Sequence, residues 1–307
     1  MTQADRALLN EWCEKWLGAV PRRLMFERGH ISRVIGARLS DGRLVVIKVR
    51  PFAPRISGCV AVQRHLFSTG FPCPEPLAGP APLGGDIATA EVYVPGGVAL
   101  TANGRVAALF AELLVDLLNR APPLPAVPSL EPAPPWVGWN HEGPGTWPHP
   151  DDLDVDLNND YGPHWIDQLG SRLHARLSGC ATQSRIGHVD WESHNIRWEG
   201  TTPLAVDDWD SVAVLDERAI AGAAATVFPS SPDGRVIAAT IDQTQIFLDA
   251  YQAARGVYWS TEEQEICWAA GLWVLAYNAK KESLGGGTGY ISHLEREASE
   301  RVRRAGA

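Results

Sequence analysis

The sequence predicts an α+β fold of two lobes, a small antiparallel sheet followed by a larger, mainly helical part. Apolar residues alternate with polar ones over much of the first 97 residues, and helical periodicity follows. Pro95-Gly96-Gly97 separates the two patterns. We therefore assign residues 1–94 to an N-lobe and residues 95–307 to a C-lobe. Within the C-lobe, residues 121–160 form an insertion rich in proline, tryptophan and aspartate.

The N-lobe pattern combines helices with a β-hairpin. An amphipathic helix is expected at the start of the chain, where apolar residues recur at helical spacing. Two alternating segments are joined by Ser40-Asp41-Gly42-Arg43, and Asp-Gly favours the positive φ of a tight hairpin turn. The predicted elements are a helix over 5–17, strands over 32–39 and 44–49, a helix over 60–68 and a strand over 88–94.

The C-lobe pattern is mainly helical but contains one long irregular segment. Ten of the 23 prolines fall within residues 121–150, which rules out a helix there and predicts a long loop. Its tryptophans (Trp136, Trp139 and Trp147) could either stack on a ligand or anchor the loop. The remaining predicted elements are helices over 105–118, 164–177, 245–254 and 262–282, and short strands over 194–198 and 203–206.

The composition is that of a globular protein in a reducing compartment. Hydrophobic residues make up 45% and charged residues 21% of the chain, and no apolar run is long enough to cross a membrane. The N-terminus lacks a basic, apolar signal sequence. The five cysteines are scattered and odd in number, which favours neither disulfides nor a zinc site. We therefore expect a cytoplasmic protein.

The net charge of −9 is unevenly distributed. It is +4 over residues 1–97 and −13 over the rest of the chain. This division is typical of an anion bound by the N-lobe and a cation or cationic substrate near the C-lobe, although acidity can also serve solubility alone. Nucleic acid is not an expected partner, because it requires a basic surface.

One polar segment indicates the chemistry. It reads His188-Val189-Asp190-Trp191-Glu192-Ser193-His194-Asn195, and an apolar strand then leads into Asp207-Asp208-Trp209-Asp210. Phosphoryl transfer needs one carboxylate at the incoming hydroxyl, and it needs oxygen ligands that hold Mg²⁺ against the phosphates. Lys48, in the apolar segment 45–49 upstream, adds a cation for those phosphates. The three features occur in the order that such a site requires.

These motifs resemble the aminoglycoside phosphotransferase and choline kinase-like small-molecule kinases, which share the protein-kinase-like fold. The resemblance implies that ATP and Mg²⁺ are used, with Asp190 as catalytic base and Asn195 and Asp208 as metal ligands. It further implies three groups of ATP contacts. They are Lys48 on the α and β phosphates, Gly29 and Ser32 in a turn over the phosphates (residues 28–32), and backbone groups of Tyr93 and Val94 at the adenine.

The sequence departs from the family pattern at several positions. Val189 replaces a glycine, and Ser193-His194 replaces Pro-Gly ahead of Asn195. The glutamate that should pair with Lys48 is expected near Cys59, but none is there, and Gln63 is the nearest polar residue. Asp207 is an alternative to Asp208 as the metal ligand.

The expected reaction is transfer of the γ-phosphoryl group of ATP to a hydroxyl of a small molecule. An amine-bearing acceptor, an aminoglycoside or an amino sugar, is the leading candidate, and the acidic residues 151–160 could either bind it or simply face solvent. A protein kinase is disfavoured, because no Ala-Pro-Glu follows Asp210. A nucleotide-binding scaffold without turnover remains an alternative, and the missing glutamate supports it.

Overall fold

A five-stranded antiparallel sheet in the order β1-β2-β3-β5-β4 forms the N-lobe. The computed structural model describes residues 2–29, 32–178, 183–230, 238–285, 287 and 289–307. The N-lobe elements are α1 (Gln3–Leu17), β1 (Pro21–Gly29), β2 (Arg33–Leu39), β3 (Leu44–Arg50), α2 (Ile56–Ser68), β4 (Pro76–Leu83) and β5 (Asp86–Val92). The hairpin predicted at Asp41-Gly42 is confirmed, and Gly42 has a φ of 92°.

The two faces of this sheet have different environments. On one face, α1 packs Leu9, Trp12 and Cys13 against apolar strand residues such as Ile47. Side chains alternate along a strand, so Lys48 and Arg50 of β3 lie on the opposite face. β5 adds Thr89 and Glu91 to that face, because Thr89 pairs with Lys48 and Glu91 with Val46. The sheet thus presents a charged surface to the C-lobe.

In the described part of the C-lobe, six α-helices surround two short two-stranded antiparallel sheets. The helices are α3 (Gly104–Arg120), α4 (His164–Leu177), α5 (Glu217–Val227), α6 (Ile241–Arg255), α7 (Thr261–Glu282) and α8 (Tyr290–Ala305). β6 (Ser184–His188) pairs with β9 (Val212–Asp216), and the hairpin of β7 (Ile196–Glu199) and β8 (Thr202–Val206) lies between them in the chain. α7 is buried along most of its length and contacts α4, α5 and α8. The two-lobe α+β architecture predicted from the sequence is confirmed.

The tryptophans of the insertion anchor it to the C-lobe. Trp139 and Trp147 are buried and pack against Trp273 of α7. The indole N–H of Trp147 donates to Asp167 Oδ1 over 2.7 Å. Anchoring, rather than stacking on a ligand, therefore accounts for these two side chains.

A buried lysine provides a second anchor for the insertion. Lys280 is fully buried, and its ammonium group donates to Asp167 Oδ2 at 2.9 Å and to the Tyr161 carbonyl at 2.8 Å. The neighbouring Lys281 binds Asp152 at 2.7 Å. At least part of the acidic segment is therefore fixed by cations of α7 rather than free in solvent.

Within the described ranges, none of the helices combines the length and the apolar character needed to cross a bilayer. Four cysteines, Cys13, Cys59, Cys73 and Cys267, are free and buried. Cys180, and Gly179 at the expected end of α4, lie outside the described residues.

Gly222 marks the closest approach of α5 to α7. A Cβ atom at this position would lie 1.9 Å from the Cys267 carbonyl oxygen, which is backbone and cannot turn aside. We expect Gly222→Ala to lower the free energy of unfolding by about 2 kcal/mol or more, because the two helices must separate. Urea unfolding measures this loss. Gly85→Ala is the control, since its Cβ would meet no atom within 4 Å, and an equal loss in both variants would contradict the prediction.

Candidate active site

Three hydrogen bonds hold the loop after β6 against the segment after β8. His188 Nε2 donates to the Asp207 carbonyl at 3.0 Å, and the Val189 N–H donates to the Ser211 carbonyl at 2.9 Å. In the other direction, the Asp207 N–H donates to the Asn195 carbonyl at 2.8 Å. His188 is fully buried, and burial lowers its pKa, so its neutral ring serves as a structural donor. The two polar motifs of the sequence therefore meet in one place.

Asp190 and Asn195 are joined by side-chain contacts. Asn195 Nδ2 donates to Asp190 Oδ2 at 2.7 Å and to the Asp190 carbonyl at 3.0 Å. The Glu192 N–H also donates to that carbonyl, which closes a tight turn. This arrangement fixes the Asp190 carboxylate and leaves the amide oxygen of Asn195 as the donor atom for a cation.

Asp208 occupies a strained backbone position beside Lys48. Its φ of 63° is in the left-handed region, which non-glycine residues rarely adopt and which often marks functional sites. Lys48 Nζ lies 3.3 Å from Asp208 Oδ1. Removal from bulk water, together with the neighbouring Asp210, raises the pKa of Asp208 to about 7. A bound divalent cation would favour the ionised form of this carboxyl.

Asp207 faces a different partner. Its carboxylate pairs with Arg197 of β7 at 2.9 Å. The same guanidinium donates to the carbonyls of Val94 and Gly96 at 2.6 and 2.8 Å, so it links the connection between the lobes to the segment that carries Asp208. Between the two aspartates that the sequence left open, Asp208 is thus the one beside Lys48. Arg197 was not anticipated, since nothing in its local pattern distinguishes it from an ordinary strand residue.

Lys48 is surrounded by three carboxylates. Besides Asp208, Glu91 Oε1 lies 3.7 Å and Asp210 Oδ1 3.9 Å from the ammonium nitrogen. Burial opposes the charge of Lys48, but the carboxylates outweigh it and raise the pKa above its ordinary value. The helix glutamate absent near Cys59 is thus replaced in space by Glu91 of β5, which nothing in its local sequence identifies as a partner of Lys48.

Arg50 lies two residues after Lys48 on the same face of β3, and it pairs with Asp210. Burial acts against the charge of Asp210, yet Arg50 and Lys48 prevail and lower its pKa. Asp210 therefore stays ionised and is committed to the two cations of β3.

The segment predicted to meet the adenine is partly occupied by protein contacts. The Tyr93 N–H donates to the Leu44 carbonyl at 3.0 Å, and the Val94 carbonyl accepts from Arg197. The Tyr93 carbonyl and the Val94 N–H are the groups of this segment left for a base.

Gly29 and Ser32 line a separate cavity of about 430 Å³ beside α1 and the turn between β4 and β5. Arg50 of the charged cluster also lines this cavity, but Lys48 does not, so Gly29 and Ser32 share a cavity with one cation of the cluster and not with the lysine. His30 and Ile31, the middle of the predicted phosphate turn, lie outside the described residues. Their function over the phosphates stays a prediction.

The loop around Asp190 is supported from behind and flanked by an acid. Trp136 of the insertion donates to the Val189 carbonyl at 3.0 Å, and Trp191 donates to the Phe110 carbonyl at 3.1 Å. Glu192 pairs with His194 at 3.3 Å. Burial, together with nearby Asp190, raises the pKa of Glu192 well above its ordinary value.

The side chains of Asn195 and Asp208 fit a Mg²⁺ ion that shares its coordination with a nucleotide. Asn195 and Asp208 offer two oxygen donors, the ligand type that Mg²⁺ prefers. No group of three His, Cys, Asp or Glu side chains in the described part of the chain could hold a metal by itself. Mg²⁺ commonly takes few protein ligands and completes its shell with phosphate oxygens and water. The donor set therefore suits a metal that arrives with phosphates.

Several solved structures with the same fold are small-molecule kinases. An amicoumacin kinase in complex with AMP-PNP, Ca²⁺ and Ami matches with a TM-score of 0.60 and 11% identity, covering 98% of this chain and 96% of that one. A thermostable aminoglycoside phosphotransferase with ADP and hygromycin B matches at 0.62 and 14%, covering 98% and 99%. A spectinomycin phosphotransferase with ADP and spectinomycin matches at 0.55 and 12%, covering 97% and 93%.

These likenesses extend over nearly the whole chain, so the predicted kinase-like two-lobe fold is confirmed. No protein-family model matches the sequence, and no significantly similar curated protein was found. At these identities the structural comparisons establish the fold, while the activity has to be argued from the residues of the cleft.

Proposed function

We propose that the protein is an ATP- and Mg²⁺-dependent phosphotransferase that moves the γ-phosphoryl group of ATP to a hydroxyl of a small molecule. The observation that carries this proposal is the pairing of Asp190 with Asn195 and of Asp208 with Lys48, on two segments that hydrogen-bond to each other through Asp207 and Asn195. Phosphoryl transfer depends mainly on positioning and charge neutralisation, and the cluster offers the groups that both require.

Each residue has one task in this proposal. Asp190, held by the Asn195 amide, orients the acceptor hydroxyl and takes its proton. Asn195 and Asp208 would hold Mg²⁺, whose charge would offset that of the phosphates. Lys48 contacts the α and β phosphates, and the backbone of Tyr93 and Val94 meets the base. Gly29 and Ser32 are assigned to the turn over the phosphates.

An amine-bearing acceptor, an aminoglycoside or an amino sugar, is supported by the charge of the C-lobe. Its residues carry the whole acidic excess of the chain, −13 against +4 in the N-lobe, and Glu192 adds a carboxyl two positions from Asp190. A cationic substrate would favour the ionised form of Glu192, whose charge is otherwise disfavoured by burial. The scaffold interpretation loses its main support, because Glu91 lies where Lys48 needs a partner.

The proposal is tested by measuring ADP release from Mg–ATP with aminoglycosides, amino sugars, choline and simple alcohols as acceptors. We expect turnover with an amine-bearing acceptor, and we expect both EDTA and Asp208→Asn to abolish it. Asp207→Asn serves as the matched control, because its carboxylate faces Arg197, and it should retain metal dependence. Turnover that survives EDTA, or that Asp208→Asn leaves intact, would contradict the assigned metal site.

A further inference from the structure

Glu91 on strand β5 lies where it can pair with Lys48, the function expected of the glutamate that is missing from α2. We propose that Glu91, oriented by Gln63, is the residue that positions Lys48 for the nucleotide phosphates. This inference rests on the proposed function and identifies a positioning residue within it.

The carboxylates around Lys48 differ in their other commitments. Asp210 is bound by Arg50, and Asp208 is the candidate metal ligand. When metal and nucleotide are bound, Glu91 is therefore the nearest carboxylate still available to hold the ammonium group, at 3.7 Å, with Asp210 Oδ1 at 3.9 Å. Without Glu91, Lys48 would rely on Asp210, which it shares with Arg50, and on Asp208, for which it would compete with the metal.

The position of Glu91 is itself fixed by α2. Gln63 Nε2 donates to Glu91 Oε2 at 2.9 Å and to the Pro74 carbonyl at 2.9 Å, and both side chains are buried. Gln63 lies one helical turn after Cys59 and on the same face. The helix thus still contributes to the position of Lys48, but through a neutral amide and a strand carboxylate instead of its own acid.

The cavity beside Lys48 is consistent with a carboxylate on β5 in place of one on α2. A small cavity of about 20 Å³ is lined by residues that include Lys48, Cys59, Gln63 and Glu91. A glutamate at Cys59 would extend toward this space, whereas the shorter cysteine leaves room for about one water molecule. Cys59 of α2 and Glu91 of β5 thus line the same pocket as Lys48, so the strand can supply the carboxylate that the helix lacks.

The test compares Glu91→Gln with Glu75→Gln, a control at an exposed glutamate of the same lobe. We expect Glu91→Gln to raise the dissociation constant of Mg–ATP about tenfold, which corresponds to about 1.4 kcal/mol. It should also shift nucleotide binding to higher Mg²⁺ concentrations, since Lys48 then competes for Asp208. A purely structural role would lower the unfolding temperature without moving the Mg²⁺ dependence. Glu75→Gln should change neither quantity.

A second variant covers the case in which Glu91→Gln folds poorly. Gln63→Met keeps the charge of Glu91 but removes its donor, so it should weaken Mg–ATP binding in the same direction by a smaller factor. Wild-type binding with both variants unaffected would overturn this inference and leave the proposed function standing. A wild-type protein that binds no nucleotide would overturn both.

Discussion

Asp190→Asn is expected to lower phosphoryl transfer by about 10²–10⁴-fold, the usual contribution of a positioned general base. An amide has the same shape as the carboxylate but cannot accept the proton of the acceptor hydroxyl. Folding should be almost unaffected, because Asp190 lies among other carboxyls, including Glu192 and Asp208, and loses only one negative charge. The measurement is acceptor-dependent ADP release beside the free energy of unfolding.

The control for this variant is Asp249→Asn, an exposed aspartate of α6 that contacts Gln245 and lies outside both the acidic segment and the loop around Asp190. It should keep wild-type turnover and Mg–ATP affinity. Asp190→Asn should also keep Mg–ATP affinity, because Lys48 and Asp208 remain. Undiminished turnover in Asp190→Asn would remove the basis for assigning the loop as catalytic.

Lys280→Met should cost about 3–5 kcal/mol of stability, the range for breaking a buried ion pair from one side. The substitution leaves Asp167 without its cation and the Tyr161 carbonyl without its donor. The insertion is tied to α7 through these contacts, so the environment of Trp147 should change as well. Denaturant unfolding gives the energy, and near-ultraviolet circular dichroism reports the tryptophan.

Lys281→Met is a close match for this experiment, because it removes the adjacent lysine of the same helix. Its partner is Asp152, and its side chain is 20% exposed, whereas that of Lys280 is 1% exposed. We expect a smaller loss, about 1–2 kcal/mol, because Lys281 bonds to one carboxylate only and its ammonium group is closer to water. Equal losses in the two variants would show that the burial of Lys280 does not increase its contribution to the free energy of unfolding.

Local signals explain which parts of the fold the sequence predicted. The Asp41-Gly42 hairpin and the long amphipathic helices α3, α4 and α7 follow from periodicity and turn chemistry that lie within a few residues. β1 and β4 were missed, since β1 is interrupted by arginines and β4 contains prolines at positions that a strand rarely tolerates. α8 was also missed, as its mean composition is strongly polar.

The residues of the candidate site likewise fall into those that local sequence predicted and those that it did not. Asp190, Asn195 and Asp208 could be selected because their order and spacing are properties of the chain alone. Glu91 and Arg197 could not, because each acts on a partner that folding brings from far away in sequence, Lys48 in one case and Val94 in the other. Contacts of this kind carry no local pattern.

The attachment of α2 bears on how such an activity could be controlled. Arg55, at the start of α2, donates to the carbonyls of Leu130, Asp210 and Val212, and a Cβ at Gly58 would lie 2.7 Å from the Pro128 carbonyl oxygen. In protein kinases, positioning of the corresponding helix switches activity on and off. Here an outward swing would break three hydrogen bonds to the C-lobe at once. The helix is thus fixed to the C-lobe, so for the proposed activity we expect supply of acceptor and nucleotide, rather than a helix switch, to set the rate.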